Sequence, residues 1–156
     1  MSLNKKKILE AFIKTQENKI QSLKNSLRAT KQGAIDAPGS NVSHSDTSKF
    51  QLSNLALGLE KRVREAEEAL SLLKGISENP NDTISIGSFF TLRDIKSGNY
   101  THYFLVPQAG GEWLDIDGEE VLSISEEAPL IESVIGRRKG DKIKFRDKFL
   151  EVINLQ

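Results

Sequence analysis

From Leu3 to Gln32 the chain has neither proline nor glycine, and Ile8, Phe12, Ile20, Leu23 and Leu27 recur at spacings that fall on one helical face. The spacing predicts a long helix. A breaker cluster follows, Gly33 and then Asp36 to Asn41 with Pro38 and Gly39, after which Ser43, Ser45, Asp46 and Ser48 are N-cap candidates. A second periodic run, Leu52, Leu55, Leu59, Val63, Ala66, Leu70 and Leu73, steps by three or four residues as a coiled-coil seam does and ends near Gly75. Gly58 lies inside it at a cost of up to about 1 kcal/mol against alanine, which strong helix formers on either side absorb.

Beyond Glu78 to Asn81 the period changes to two. Ile84 and Ile86, then Phe89 to Leu92, predict a strand; Lys96-Ser97-Gly98-Asn99 predicts a turn and Tyr100 to Val106 the returning strand, which Pro107 ends. Gln108-Ala109-Gly110-Gly111 is another turn. Short strands are expected at Trp113 to Ile116 and Glu120 to Ile124 around Asp117-Gly118, and a short helix from Pro129 at its N1 position through Ile135, closed by Gly136. Lys142 to Arg146 and Phe149 to Ile153 complete a last hairpin. The expected class is therefore α+β: an N-terminal antiparallel coiled-coil hairpin over 1–76, a linker over 77–83, and an antiparallel sheet domain with one short helix over 84–156. Two helices of about 30 residues make a hairpin about 45 Å long at 1.5 Å per residue, expected to stand as a rod.

The length of 156 residues accommodates one ordinary domain or two small ones. The absence of cysteine removes disulfide scaffolds, thiol nucleophiles and cysteine-ligated metal centres, and fits a reducing compartment. With no apolar run of membrane-spanning length and no signal-peptide pattern, a cytoplasmic protein is expected, with no membrane partner. The net charge of zero conceals +4 up to Glu78 and −4 beyond it, and residues 2–32 carry eight basic against two acidic side chains. Eight of the aromatic residues lie in the second half, so that half is expected to close a compact core by itself.

The C-terminal half resembles the FKBP-like domain of the Gre-type bacterial transcription elongation factors, GreA and GreB, and the hairpin resembles their coiled coil. The residues that carry the likeness are Ile86-Gly87-Ser88, Tyr103-Phe104-Leu105-Val106-Pro107 with Gly110-Gly111, and above all Ile124-Ser125-Glu126-Glu127-Ala128-Pro129-Leu130, running through Val134-Ile135-Gly136 to Lys139-Gly140-Asp141. This is similar to the family pattern I-S-x-x-S-P-L-x-x-x-L-x-G-K-x-x-G-D without insertion or deletion; Ala128 replaces the usual serine and Arg137 the usual lysine. The resemblance implies a partner, RNA polymerase. The globular domain would grip the rim of its secondary channel through Glu127, Pro129, Leu130 and Glu132, and the coiled coil would enter the channel, close to nascent RNA. It also implies that acidic side chains at the tip help hold a Mg²⁺ shared with the polymerase, whose own active site then hydrolyses backtracked RNA, so the chain itself would be an accessory factor and no enzyme.

The tip departs from the family's D-x-x-E-N followed by tyrosine. Placing Phe50 on the aromatic puts Asp46 on the glutamate and Ser43 on the aspartate, so one carboxylate is missing. Asp46 is the candidate tip acid and shared Mg²⁺ ligand, Asp36 across the loop the candidate substitute; capping of the second helix is the plainer role of Asp46. Two outcomes stay open, stimulation of cleavage and occupation of the channel with weak or no cleavage. An FKBP-like peptidyl-prolyl isomerase or chaperone is the alternative, which needs an aromatic-lined proline pocket, and fold alone does not carry activity. Arg137, Arg138, Lys139, Lys142 and Lys144 read as a solvated turn, Asp115, Asp117, Glu119 and Glu120 likewise, His102 lacks a second histidine at ligand spacing, and the single Trp113 is expected in the core.

Overall fold

A computed structural model describes residues 2–37 and 43–156, with only the backbone for 43–46. The elements are α1 (Lys5–Asp36), α2 (Ser43–Lys74), β1 (Phe89–Asp94), β2 (Tyr100–Leu105), β3 (Trp113–Ile116), β4 (Glu119–Ile124), α3 (Pro129–Val134), β5 (Lys142–Phe145) and β6 (Lys148–Leu155). The chain forms two compact units, Met1–Lys14 with Ser71–Gln156, and Thr15–Leu70. This division cuts through both long helices, whereas the sequence places a boundary after residue 76. The fold class is α+β, with a long helical hairpin, a six-stranded sheet and one short helix.

In the first unit the strands run in the order β3-β4-β2-β1-β6-β5. The sheet is mixed, which corrects the expected all-antiparallel arrangement: β2 pairs with β4 in parallel, His102 opposite Val121. Pro107 lacks the N–H that would extend β2, and the following turn, with Ala109 at φ 60° and Gly111 at φ 101°, carries the chain across to β3. The β3–β4 hairpin then returns β4 into the gap beside β2. A side-chain carbon at Gly110 would come within 2.5 Å of the Ser125 backbone N, so this crossing requires glycine.

Both sheet faces are covered, which is why β1 begins with four buried residues in succession. On one face Phe89, Phe104 and Val121 pack with Ile8, Leu9 and Phe12 of α1 and Leu73 of α2, and the Phe12 and Phe104 rings stack at 5.5 Å. On the other, Phe90, Leu92, Leu105 and Val152 pack with Ile131 and Val134 of α3. The expectation that the second half closes its own core is thus corrected, because the first helical turns of the N-terminal half supply one layer. Lys5 is buried among them, its Nζ donating to Asn79 O at 2.6 Å and Asn81 Oδ1 at 2.9 Å.

Three further expectations differ. Ile84 belongs to no strand; it is fully buried and exchanges backbone hydrogen bonds with the turn after α3, its N donating to Arg137 O and its O accepting from Gly136 N, both at 2.8 Å. Trp113 is 53% exposed, because β3 is an edge strand whose alternation turns Leu114 and Ile116 toward the core and Trp113 away from it. In the second unit the buried seam is Ile20 with Ala56, Leu59, Val63, Ala66 and Ala69, while Leu55 is exposed. The two helices run antiparallel, tied by Gln16 Nε2 donating to Ala66 O at 3.0 Å and by Lys24–Glu67 and Lys31–Glu60 ion pairs at 2.8 and 2.6 Å.

Candidate functional site

The turn from β4 into α3 gathers all four residues expected to face a partner. Ile124 ends β4, and Ala128 N donates to Ser125 O at 3.0 Å, closing a tight turn. Ala128 then occupies the N-cap in extended conformation (φ −68°, ψ 131°) with no side-chain cap, and Pro129 opens the helix. Proline suits that position because its fixed φ is helical and it has no N–H to leave unpaired. An alanine N-cap forgoes about 1 kcal/mol that serine would contribute. Ile131 and Val134 are buried, which turns Glu127, Pro129 and Glu132 outward, with Leu130 half-buried beside them. The result is a small, rigid, acidic knob with an apolar flank.

Leu130 also walls a concavity of about 380 Å³ whose floor includes Leu92, Tyr103, Phe145 and Leu150. Tyr103 stacks on Phe90 at 5.4 Å, and burial raises its phenol above the ordinary value. Arg146 and Lys148 stand on the rim.

The rest of the recognisable motif is scaffold. Gly136 and Gly140 adopt φ 76° and 93°, conformations that favour glycine, and Asp141 Oδ2 accepts from Arg138 N at 2.9 Å. Gly140 N donates to Val152 O and Val152 N to Asp141 O, so the turn is laced to β6. Arg137, Arg138 and Lys139 are exposed on it.

In the hairpin unit, Asp36 is the last residue of α1 and exposed, and Gln32 Nε2 donates to its carboxylate at 2.9 Å. Asp46 falls in the first turn of α2, but its side chain, like those of Ser43 and His44, lies outside the described residues. Among the described residues no three His, Asp or Glu side chains converge as a metal site. Asp36 contributes one hard-oxygen carboxylate at the end of α1. Also among the described residues, no helix is long and apolar enough to cross a membrane.

Sequence reasoning missed a polar chain on the sheet. Thr91 Oγ1 and His102 Nδ1 lie 2.7 Å apart, and His102 Nε2 is 3.4 Å from Glu119 Oε2. The pairing of Thr91 with His102 across β1 and β2 makes this contact, and it is readable only once the register is known. Large apolar side chains are also exposed toward the loop end of the hairpin, among them Ile35 and Phe50, the residue that the sequence places on the family's tip aromatic.

No family model matches the sequence, and no curated protein is significantly similar to it. Among solved structures, the GreA factor homolog 1 (Gfh1) of Thermus thermophilus is 19% identical, over 92% of this chain and 94% of that one, with a TM-score of 0.39. Gfh1 of Thermus aquaticus is 19% identical over 95% and 91% of the two chains, also at 0.39. A GreA/GreB elongation factor from Nitrosomonas europaea is 19% identical over 67% and 92%, at 0.37. These likenesses are loose, and the functional reading rests on residues of this chain.

Proposed function

We propose that this chain is a Gre-like regulator that binds bacterial RNA polymerase, holding the rim of the secondary channel with the α3 turn and placing its helical hairpin in the channel. The observation that carries this reading is the uninterrupted run from Ile124 to Asp141, whose glycines and Asp141 build the turns while Glu127, Pro129 and Glu132 stay exposed. A pre-shaped knob loses little conformational entropy on docking. Its two carboxylates favour a basic rim, and Leu130 with the adjoining concavity accepts an apolar side chain.

The hairpin's first helix supports the second half of the reading. Its excess of lysine and arginine favours entry into a passage that also holds RNA. With serine at position 43 where the family pattern carries an acid, the reading favours occupation of the channel over strong stimulation of transcript cleavage. Cleavage in stalled, backtracked polymerase complexes tests this: wild type and Asp46→Ala are expected to give the same low cleavage while both inhibit a cleavage-competent Gre factor. Robust cleavage by wild type that Asp46→Ala abolishes would establish the stimulating role instead.

A further inference from the structure

Charge is segregated along the sheet. From Gly111 to Ile135 the chain carries eight acidic side chains and no basic one, whereas from Gly136 to Phe149 it carries seven basic and two acidic. Strands β3 and β4, at one end of the strand order, belong to the acidic stretch, and β5, at the other end, to the basic one. Lysines on an edge strand guard against edge-to-edge pairing, which alone would account for Lys142 and Lys144. It does not account for the aromatic rings near them, Phe149 at 57% and Tyr100 at 54% exposed.

These side chains project from one sheet face. Lys144 lies opposite Phe149 and Lys142 opposite Glu151 on β6, Glu151 opposite Arg93 on β1, and Arg93 opposite Tyr100 on β2. Paired residues share a face, and so do Phe149 and Glu151, two apart on β6. The contacts agree: Lys144 Nζ stands 5.8 Å from the centre of the Phe149 ring, and Arg93 Nη2 binds Glu151 Oε2 at 2.6 Å. Phe104, four residues beyond Tyr100 on β2, lies on the same face beneath Phe12 of α1, but at Tyr100 and Phe149 the face is open.

The charge left over here is positive. Glu151 is taken by Arg93, while Lys142 and Lys144 have no carboxylate partner among the described residues. Glu119, beside Tyr100 on the side away from these lysines, stands 3.4 Å from His102 Nε2 and marks where the basic region ends. Two strand spacings of about 4.8 Å and two residues of about 3.4 Å set Phe149 and Tyr100 about 12 Å apart, far enough to take different bases. A single strand offers base faces to the rings and phosphates to the lysines. A duplex hides its base faces, and an acidic peptide would leave the rings idle.

We propose that this open part of the sheet face binds single-stranded nucleic acid, with bases stacked on Phe149 and Tyr100 and phosphates held by Lys142 and Lys144. The site uses no residue of the α3 turn and stands whether or not the chain binds RNA polymerase.

Fluorescence anisotropy of a short labelled oligouridylate, titrated with the full chain at low salt, tests it. Saturable binding is expected, several-fold weaker for a duplex of the same length. Tyr100→Ala/Phe149→Ala should lose at least tenfold in affinity, and Lys142→Gln/Lys144→Gln several-fold with a shallower salt dependence, in proteins whose circular dichroism is unchanged. Because α1 is itself basic, Lys14→Gln/Lys19→Gln, at exposed positions of that helix, is the control and should bind nearly as wild type does. No saturable binding, equal or tighter binding of the duplex, unchanged affinity in either folded sheet variant, or as large a loss in the α1 control would overturn the proposal. So would polyglutamate that binds as tightly as the oligonucleotide and is indifferent to Tyr100→Ala/Phe149→Ala, since the partner would then be an acidic protein segment.

Discussion

The sheet unit and the hairpin unit are built on different scales. The first buries Phe89, Phe90 and Phe104 almost completely and is covered on both faces, whereas the described core of the second contains nothing larger than Ile20 and Leu59 and relies on Ala56, Ala66 and Ala69. Small residues let two helices approach closely but remove little apolar surface from water. The difference teaches where stability resides: the sheet unit holds itself together, and the hairpin is a thin element supported by a narrow seam and exposed ion pairs.

The largest expected effect tests whether α1 belongs to both units. Phe12→Ala removes the ring stacked on Phe104 and should cost about 3–5 kcal/mol in chemical denaturation, as a core phenylalanine of a globular domain does. A cost near that of a surface substitution would place Phe12 outside the sheet core. Leu59→Ala in the hairpin seam should cost less, about 2–3 kcal/mol, and should speed amide exchange in α2 while leaving β1 and β2 protected. If it deprotects the strands equally, the two units unfold as one and the comparison fails.

How much of this was legible in the sequence depends on the range of the interaction. Both long helices were readable because proline is absent from them and their apolar periodicity is local, and the Pro129 helix start and Gly136 stop were readable for the same reason. Apolar periodicity alone does not separate Leu55 from the seam, because close helix packing buries Ala56, one position away, and leaves the larger Leu55 exposed. The parallel β2–β4 pair, the docking of Ile8 and Phe12 on the sheet, and the exposure of Trp113 all depend on contacts between residues distant in sequence, which no local pattern encodes. At the candidate site, the motif located the turn but did not separate its jobs. The structure does so, with Gly136, Gly140 and Asp141 shaping the backbone and Glu127, Pro129 and Glu132 facing outward.

Smaller effects sharpen the contrast through pH and salt. Burial lowers the Lys5 ammonium below its ordinary value of 10.5, so the unfolded chain holds that proton more tightly. Stability from this group is therefore present above 10.5 and is lost as pH falls through the lowered folded value; Lys5→Met should remove that alkaline rise. Tyr103 acts in the opposite sense. Its folded value is raised above 10.0, so its contribution is full below 10.0 and disappears as pH climbs through the folded value, a decline that Tyr103→Phe should remove. Denaturation midpoints of wild type and each variant across pH 8 to 11, a range set by these ordinary values, check both signs. Least of all, breaking the exposed Lys24–Glu67 pair with Lys24→Met should cost about 0.2–1 kcal/mol at low salt and nothing measurable in high salt. A larger, salt-insensitive loss would mean that the seam owes more to this pair than its exposure allows.

Binding to RNA polymerase core enzyme is the most direct measurement of the central claim. The labelled chain should bind the core saturably, be displaced by an unlabelled Gre factor, and lose at least tenfold in affinity when Pro129 and Leu130, on the α3 turn, are replaced by aspartate in a chain whose circular dichroism is unchanged. Absence of binding, or binding that neither the competitor nor the substituted turn weakens, would contradict the account.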